Sequence, residues 1–293
     1  MPLDTLIFVD TNIFLDLYRV RSGGDANLEL LSHLDTIPQK LIVTDQVEME
    51  FKRNRQHIVK TAIDGLKPIQ AANISVPSFL TESQPGKMLN KHRADFNDQQ
   101  AKLKGRLERA LADPAQHDPV YQIAQRLFTS DVACRLCRED EAKYEVREKA
   151  QRRFLMGYPP RKNDDTSYGD AINWEWIVRS AKERNARVVI VSRDSDYGVA
   201  YNAKPMLNEW LLQEFRDRVS KTRKITLTNR LAVAYREAGI PISKKESDQE
   251  IALIRERDQQ LRPKEPTQIL DLMEALRSSV EASKRYEKEH GED

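Results

Sequence analysis

Short apolar runs alternate with segments of helical spacing along the N-terminal part of the chain. Residues 6–9 form a continuous apolar run that predicts a buried strand, and residues 12–20 are predicted to form a helix directly after it. Residues 40–43 predict a second short strand, followed by a helix that opens at Thr44 and Asp45. Strands that alternate with helices in this way are typical of an α/β fold.

The same alternation returns in the second half of the chain. A helix is predicted after Asp170, where apolar residues recur at helical spacing, and residues 188–192 predict a strand. A further amphipathic helix is predicted around Leu211 and Phe215, and residues 225–227 predict a last short strand. The α/β pattern therefore spans most of residues 1–230.

Two regions depart from this alternation. Residues 85–157 are strongly charged and helical in period, and we expect them to form a helical insertion in a domain that covers residues 1–230. Residues 231–293 are polar and predict a helical C-terminal extension. Its narrow apolar stripe is expected to pack on the body of the protein or on a partner helix, either of a second copy of the chain or of another protein. The stripe consists of Leu270, Met273, Leu276 and Val280.

Acidic residues stand where the predicted strands end or the predicted helices begin. Asp10 follows the first strand, and Asp194 and Asp196 follow the strand of the second half. Glu50 and Asp170 lie near the starts of two helices. Because ligands of an open α/β sheet sit beyond the carboxyl ends of its strands, acids that are far apart in sequence can converge there.

A cluster of carboxylates needs a positive charge, because the acids otherwise repel each other and some must take up protons. Oxygen ligands without clustered histidines or cysteines favour Mg²⁺ or Mn²⁺. Such an ion lowers the pKa of a bound water and shields phosphate oxygens, which indicates hydrolysis of a phosphodiester bond. Taken singly, each acid could instead cap a helix or form a turn.

Glu50 and Glu48 compete for the role of ligand in the helix after Thr44. Asp45 and Glu48 match a capping box, which gives Glu48 a structural role. Glu50 is two residues further, about 200° around the helix, at the edge of the face that should pack on the sheet. We therefore predict that Glu50 is the ligand.

Charge and cysteine content narrow the class of ligand and the compartment. The net charge is +2, but residues 87–162 hold 17 Lys and Arg against 11 Asp and Glu, and residues 179–230 hold 12 against 6. Basic segments beside an acidic cluster suit a nucleic acid bound through its phosphates.

The two cysteines, Cys134 and Cys137, have no further ligands nearby at the spacing of a zinc site, and we expect both to be small residues of a helix. No membrane segment or secretory signal is visible, which predicts a cytoplasmic protein without membrane contact.

Four short motifs together resemble the acidic motifs of the PIN-domain nucleases. In chain order they are Phe8-Val9-Asp10-Thr11-Asn12, Val43-Thr44 leading to Glu50-Phe51, Tyr168-Gly169-Asp170-Ala171, and residues 190–196. The Pro159-Pro160 and Trp174 context is similar to the larger bacterial PIN-like branch with a long helical insertion. The resemblance covers roughly residues 4–230 and implies a central, mostly parallel sheet flanked by helices.

The resemblance also implies a function and a set of site residues. It implies a nuclease that depends on Mg²⁺ or Mn²⁺. The acids that would bind the metal and take part in catalysis are Asp10, Glu50, Asp170 and Asp194, and Asp196 would be an additional metal ligand. Asn12 and Ser192 match polar positions that support the acids by hydrogen bonding. RNA is the favoured substrate with DNA as the alternative, and toxin-like or antiphage roles are the implied contexts.

Arg193 departs from the family pattern, which often has a small or polar residue there. It could turn outward to a substrate phosphate or weaken metal binding. We predict that cations near the acids guide the nucleic acid, and that these are Lys52, Arg53, Arg55, Arg161, Lys162 and Arg193.

Three other classes of protein were compatible with parts of the pattern. A haloacid dehalogenase-type phosphatase needs a second acid two residues after the first, where this chain has Asn12. A nucleotide-binding α/β protein needs a Gly-rich loop after a strand, and none is present. A PIN-like scaffold that binds RNA or protein without cutting remains the main alternative to a nuclease.

Overall fold

The computed structural model describes residues 4–19, 28–66, 77–132, 134–160, 167–202 and 204–261. The chain divides into a unit of residues 1–250 and a second unit of residues 251–293, whose described part is helical. The predicted stripe from Leu270 to Val280 lies outside the described residues.

Short strands and mostly longer helices alternate along the described chain. The strands are β1 Thr5–Val9, β2 Leu41–Thr44, β3 Cys134–Leu136, β4 Arg187–Val191, β5 Gly198–Tyr201, β6 Lys204–Leu207 and β7 Ile225–Thr228. The helices are α1 Thr11–Leu15, α2 Leu28–Ser32, α3 Asp45–Gly65, α4 Gln84–Ala112, α5 Pro114–His117, α6 Pro119–Thr129, α7 Ala142–Leu155, α8 Gly169–Arg184, α9 Glu209–Arg218, α10 Leu231–Glu237 and α11 Lys244–Leu261. Short 3₁₀ turns follow α1 and α2 and precede β2 and α4.

Five parallel strands form the central sheet in the order β3-β2-β1-β4-β7. Strand β1 is buried along its whole length and β4 is buried from Val188 to Val191, as expected for a parallel sheet covered on both faces. Helix α8 packs against β2 and β4, and nearly all its residues from Ala171 to Ala181 are buried. The predicted α/β class with a parallel sheet flanked by helices is confirmed.

Several local predictions differ from the structure. The segment 85–157 is not only helical, because it contributes edge strand β3, and Cys134 begins that strand instead of lying on a helix. The predicted capping box is wrong, because Thr44 caps α3 and its hydroxyl accepts from the amide of Val47. The antiparallel β5–β6 hairpin was not foreseen. None of the described helices is both long and apolar enough to cross a membrane.

A buried ion pair ties helix α6 to helix α3. Arg55 is 2% exposed and donates from Nε to Asp118 at 2.7 Å, and Asp118 caps helix α6 by accepting from Tyr121. The hydroxyl of Tyr18 donates to the same carboxylate at 2.8 Å. The guanidinium also lies over the rings of Tyr18 and Tyr121, 5.6 and 5.3 Å from their centroids. These contacts hold the start of α6 against the sheet-packed helix.

Candidate active site

The register between β1 and β4 places the first and fourth acidic motifs side by side. Val9 pairs with Val191, so Asp10 and Ser192 follow at the same edge of the sheet. The backbone amide of Asp10 donates to the carbonyl of Val191 at 3.0 Å, and the Ser192 hydroxyl donates to Asp10 Oδ2 at 2.6 Å. Asp10 also caps α1, where its Oδ1 accepts from the amide of Thr11 at 2.7 Å. The carboxylate is 4% exposed.

Asn12 connects Asp10 to the backbone of the fourth motif. Its Nδ2 donates to Asp10 Oδ2 at 2.6 Å and to the Ser192 hydroxyl at 3.1 Å. Its Oδ1 accepts from the amide of Arg193 at 3.0 Å. The Ser192 hydroxyl in turn accepts from the amide of Asp194 at 3.2 Å. Asn12 and Ser192 thus join the two motifs through polar contacts at the strand ends.

Helix α3 carries Glu50 toward the same edge of the sheet. Its Oε2 accepts from the hydroxyl of Thr11 at 3.2 Å, which links it to the residue after Asp10. Its Oε1 accepts from Gln46 Nε2 at 2.7 Å. Gln46 and Glu50 are four residues apart and therefore lie on one face of the helix. Glu48 instead pairs with Lys52 at 2.6 Å, on the other side.

The start of helix α8 lies against the Glu50 side chain. A Cβ atom added to Gly169 would overlap Glu50 Oε1 and Gln46 Nε2, so a glycine at this position permits close contact. Asp170 is the next residue and lies in the first turn of α8. One turn further, Asn173 Oδ1 accepts from the hydroxyl of Thr44 at 2.6 Å, which fixes α8 to the end of β2.

The pKa of Asp10 shows that other acids lie near it. This pKa is raised from its ordinary 3.8 to about 7, mainly by burial and in part by the negative charges of Asp194 and Glu50, whereas hydrogen bonds from Ser192 and Thr11 lower it. Two of the predicted acids therefore act directly on the buried carboxylate.

The pKa of Tyr197 is affected by four of the five predicted acids. Burial raises its pKa well above the ordinary value, and the charges of four acids add to this effect, in the order Asp170, Asp10, Glu50 and Asp196. Its side chain is fully buried, and its hydroxyl has no hydrogen-bond partner among the described residues. Together with the pKa of Asp10, this shows that the structure brings the five predicted acids into one electrostatic neighbourhood.

The donors suit a hard cation, although they do not form a closed cage. Among the described residues, no three His, Cys, Asp or Glu side chains stand close enough to hold a metal ion by themselves. Mg²⁺ usually keeps several waters and takes only one or two carboxylates plus phosphate oxygens from its ligands. An all-oxygen set around a buried carboxyl of raised pKa, with an unpartnered hydroxyl nearby, fits an ion that is partly hydrated.

For two of the cations predicted to contact nucleic acid, the prediction is wrong. Arg55 is enclosed by Asp118, Tyr18 and Tyr121 and cannot reach a phosphate. It stands four residues after Phe51 and four before Val59, on the buried stripe of α3, and this spacing could have revealed its burial from the sequence.

Arg193 is the second correction. Its side chain is 4% exposed and turns inward, where it donates to Asp16 at 2.8 Å and to the Asn229 carbonyl at 3.1 Å and pairs with Glu250 at 3.4 Å. Inward rotation gives the guanidinium two buried carboxylates, which no local pattern reveals.

The other predicted cations differ in their surroundings. Lys52 is partly exposed and pairs with Glu48, and Arg53 is exposed and donates to Asn54 at 3.4 Å. Arg161 and Lys162 lie outside the described residues. Contacts that the sequence reasoning missed come from Thr11, Gln46 and Tyr197; the position of Gln46 one turn before Glu50 is the signal that could have identified it.

A parallel sheet flanked by helices, with acids at the carboxyl ends of β1 and β4, places the chain among the α/β proteins that carry an acidic site at the edge of the sheet. The family model of the PIN domain matches residues 7–197, a span that contains all five acids. The chain belongs to the PIN-domain family. Comparisons with curated proteins and with solved structures gave no match. PIN domains are generally nucleases that act on nucleic acids and use divalent metals.

Proposed function

We propose that the protein is an endonuclease that depends on Mg²⁺ or Mn²⁺ and hydrolyses phosphodiester bonds, with RNA as the favoured substrate and the cytoplasm as its compartment. The observation that carries the proposal is the buried carboxyl of Asp10, whose pKa of about 7 reflects burial and the neighbouring charges of Asp194 and Glu50. Acids held so close without a cation destabilise the folded protein, and such sites are typical of function.

We propose that four acids hold the cation, namely Asp10, Glu50, Asp170 and Asp194. Asp196 would be an additional ligand. A bound divalent ion would supply an activated water and shield the charge of the phosphate. The neighbouring polar residues orient the carboxylates. Ser192 and Asn12 hold Asp10, while Thr11 and Gln46 hold Glu50. This arrangement presets the directions of two ligands before any substrate binds.

The substrate strand would be guided by cations on α3. Arg53 follows Glu50 by three residues and is exposed, and Lys52 is partly exposed on the Glu48 side of the helix. A polyanion attracted to Arg53 would pass close to Glu50, and this attraction to phosphates is independent of base sequence. Arg161 and Lys162 remain proposed contacts of the same kind.

Cleavage of labelled single-stranded RNA and DNA with Mg²⁺ or Mn²⁺ tests the proposal. The wild type should cut, and Asp10→Asn, which keeps the shape and removes the charge, should not. Asp98→Asn on the exposed face of α4 is the matched control and should keep wild-type activity. Binding of RNA without cleavage under any divalent ion would favour the scaffold alternative, and cleavage that survives Asp10→Asn would place the catalytic site elsewhere.

A further inference from the structure

Four aromatic residues lie on the elements that flank the acidic cluster. Tyr158 and Trp210 are exposed, and their ring centroids are 5.1 Å apart with the ring planes tilted by 30°. Tyr168 is also exposed, and its ring packs against Phe154 with centroids 6.4 Å apart. Phe154 lies in the last turn of α7 and Tyr158 follows the end of that helix by three residues, so the two ring pairs are neighbours along the chain.

The turn that carries Tyr158 is held by backbone and side-chain hydrogen bonds. Gly157 has φ of +74°, a conformation that favours glycine, and ends α7. The amide of Tyr158 donates back to the Arg153 carbonyl at 3.1 Å, in the manner of a Schellman motif. Arg153 is itself buried, bonds Glu175 at 3.0 Å and donates to the Pro159 carbonyl. Tyr158 therefore projects from a supported turn.

Trp210 is connected to the acidic cluster through a helix cap. The Asn208 side chain accepts from the amide of Trp210 at 2.9 Å and so caps α9. The amide of Asn208 donates to the carbonyl of Tyr197 at 2.9 Å, and Tyr197 is the residue that follows Asp196. On the other side, Tyr168 immediately precedes Gly169 and Asp170. The aromatic residues thus adjoin both the third and the fourth acidic motifs.

We propose that Tyr158, Tyr168 and Trp210 form a stacking platform that binds the unpaired bases of a single-stranded nucleic acid beside the acidic cluster. The proposal rests on the proposed nuclease function and names its substrate class. Flat, exposed rings next to a site for phosphodiester hydrolysis match the way proteins bind single strands, where each base offers a face for stacking whatever its sequence. A paired strand keeps its bases stacked on each other and cannot use the platform.

Tryptophan fluorescence provides a test that needs no cleavage. Of the three tryptophans in the chain, Trp174 and Trp176 are buried and Trp210 is 52% exposed, so a surface ligand acts on Trp210. The probe is short oligouridylate, added without divalent ions to full-length Asp10→Asn protein. Quenching is expected with the single strand, and not with the same strand in a duplex or with an abasic strand that carries only the phosphates. Trp210→Phe should abolish the response.

Affinity measurements with substituted proteins add a second readout. Trp210→Ala and Tyr158→Ala should each weaken oligouridylate binding roughly 5- to 150-fold, the range expected for loss of one stacked base. The matched control is Tyr144→Ala, which removes an exposed aromatic ring in the first turn of α7 and should leave binding unchanged. Circular dichroism checks that each protein is folded.

The outcomes separate the platform from the nuclease proposal. If the wild type cuts RNA but Trp210 does not respond, or responds equally to the abasic strand, the platform is rejected and the nuclease stands. A base-dependent response without cleavage by any divalent ion supports the platform and rejects the nuclease. Oligouridylate binding that is unchanged in both Trp210→Ala and Tyr158→Ala also rejects the platform.

Discussion

Gly169 lies so close to Glu50 that a methyl group on its α-carbon would overlap the carboxylate oxygen Oε1. The contact joins the first turn of α8 to α3 and holds two of the proposed ligands, Glu50 and Asp170, near each other. The missing side chain of Gly169 is therefore part of the geometry of the site.

Gly169→Ala should reduce cleavage by about 100-fold, because displacement of a catalytic group by about 1 Å has an effect of this size. The overlap would push Glu50 and Gln46 aside while the buried core stays intact. The measurement is the initial rate of RNA cleavage at saturating Mn²⁺. Gly105→Ala on α4 is the matched control, since a Cβ there meets only the Arg109 side chain, at 3.9 Å. Equal rates for Gly169→Ala and wild type would refute a role for this contact.

Asp118→Ala should destabilise the protein by about 3–5 kcal/mol, because it leaves the buried guanidinium of Arg55 without its counter-ion. Urea denaturation measures the free energy of unfolding. Asp64→Ala removes the exposed Lys60–Asp64 pair and should cost less than about 1 kcal/mol. A similar small loss for both variants would contradict the assignment of Asp118 as an anchor of the insertion. The double variant Arg55→Met, Asp118→Leu should recover much of the stability.

The metal-free protein should lose stability as the pH rises from about 4 to about 7. The pKa of Asp10 is about 7 in the folded protein and 3.8 in its ordinary state, so the folded state holds this proton more tightly. The associated stability is present below the lower pKa and is lost as the pH rises through the upper one. Urea midpoints at pH 5 and pH 8 in EDTA measure it.

Asp10→Asn should lack this part of the pH dependence, because the amide does not titrate. At pH 8 without metal, the variant should be more stable than the wild type. Adding Mn²⁺ at pH 8 should stabilise the wild type more than the variant, since a ligand that binds only the folded state shifts unfolding by mass action. Identical pH profiles for the two proteins would show that Asp10 is an ordinary, unperturbed carboxylate.

Lys52→Gln and Arg53→Gln should flatten the salt dependence of RNA binding. Each lost phosphate contact should lower the slope of log K against log salt concentration by about 0.7, the value for single strands. Fluorescence anisotropy over a range of salt concentrations, without divalent ions, measures the slope. Unchanged slopes would remove α3 from the proposed path of the strand.

Arg193→Gln is the matched comparison, because it also removes one positive charge. Its guanidinium is buried between Asp16 and Glu250, so the slope should stay at the wild-type value while the free energy of unfolding falls by about 3–5 kcal/mol. Glu250 also accepts from the amides of Leu231 and Ala232 at the start of α10, so loss of Arg193 disturbs that cap as well. A reduced salt slope in this variant would show that Arg193 turns outward when RNA binds.

The alternation of strands and helices, the parallel α/β class and the order of the acidic motifs were determined by the sequence itself. These features are local, because apolar periodicity identifies β1 and α8 without knowledge of their neighbours. The capping residue of α3 was misplaced by one position because Thr44 and Asp45 are both good caps. Strand β3 was missed because three residues inside a charged, helix-rich segment carry too little pattern to reveal a strand.

Only the tertiary structure decided which residues meet. Asp10 and Ser192 are 182 positions apart, and their hydrogen bond exists because β1 and β4 are neighbours in register. Arg193 turns inward because two distant carboxylates surround it, and Tyr158 reaches Trp210 because α7 ends beside α9. The residues next to Arg193 and Trp210 in sequence do not distinguish a surface position from a place in a network, so the roles of these two side chains depend on long-range packing that no window of sequence contains.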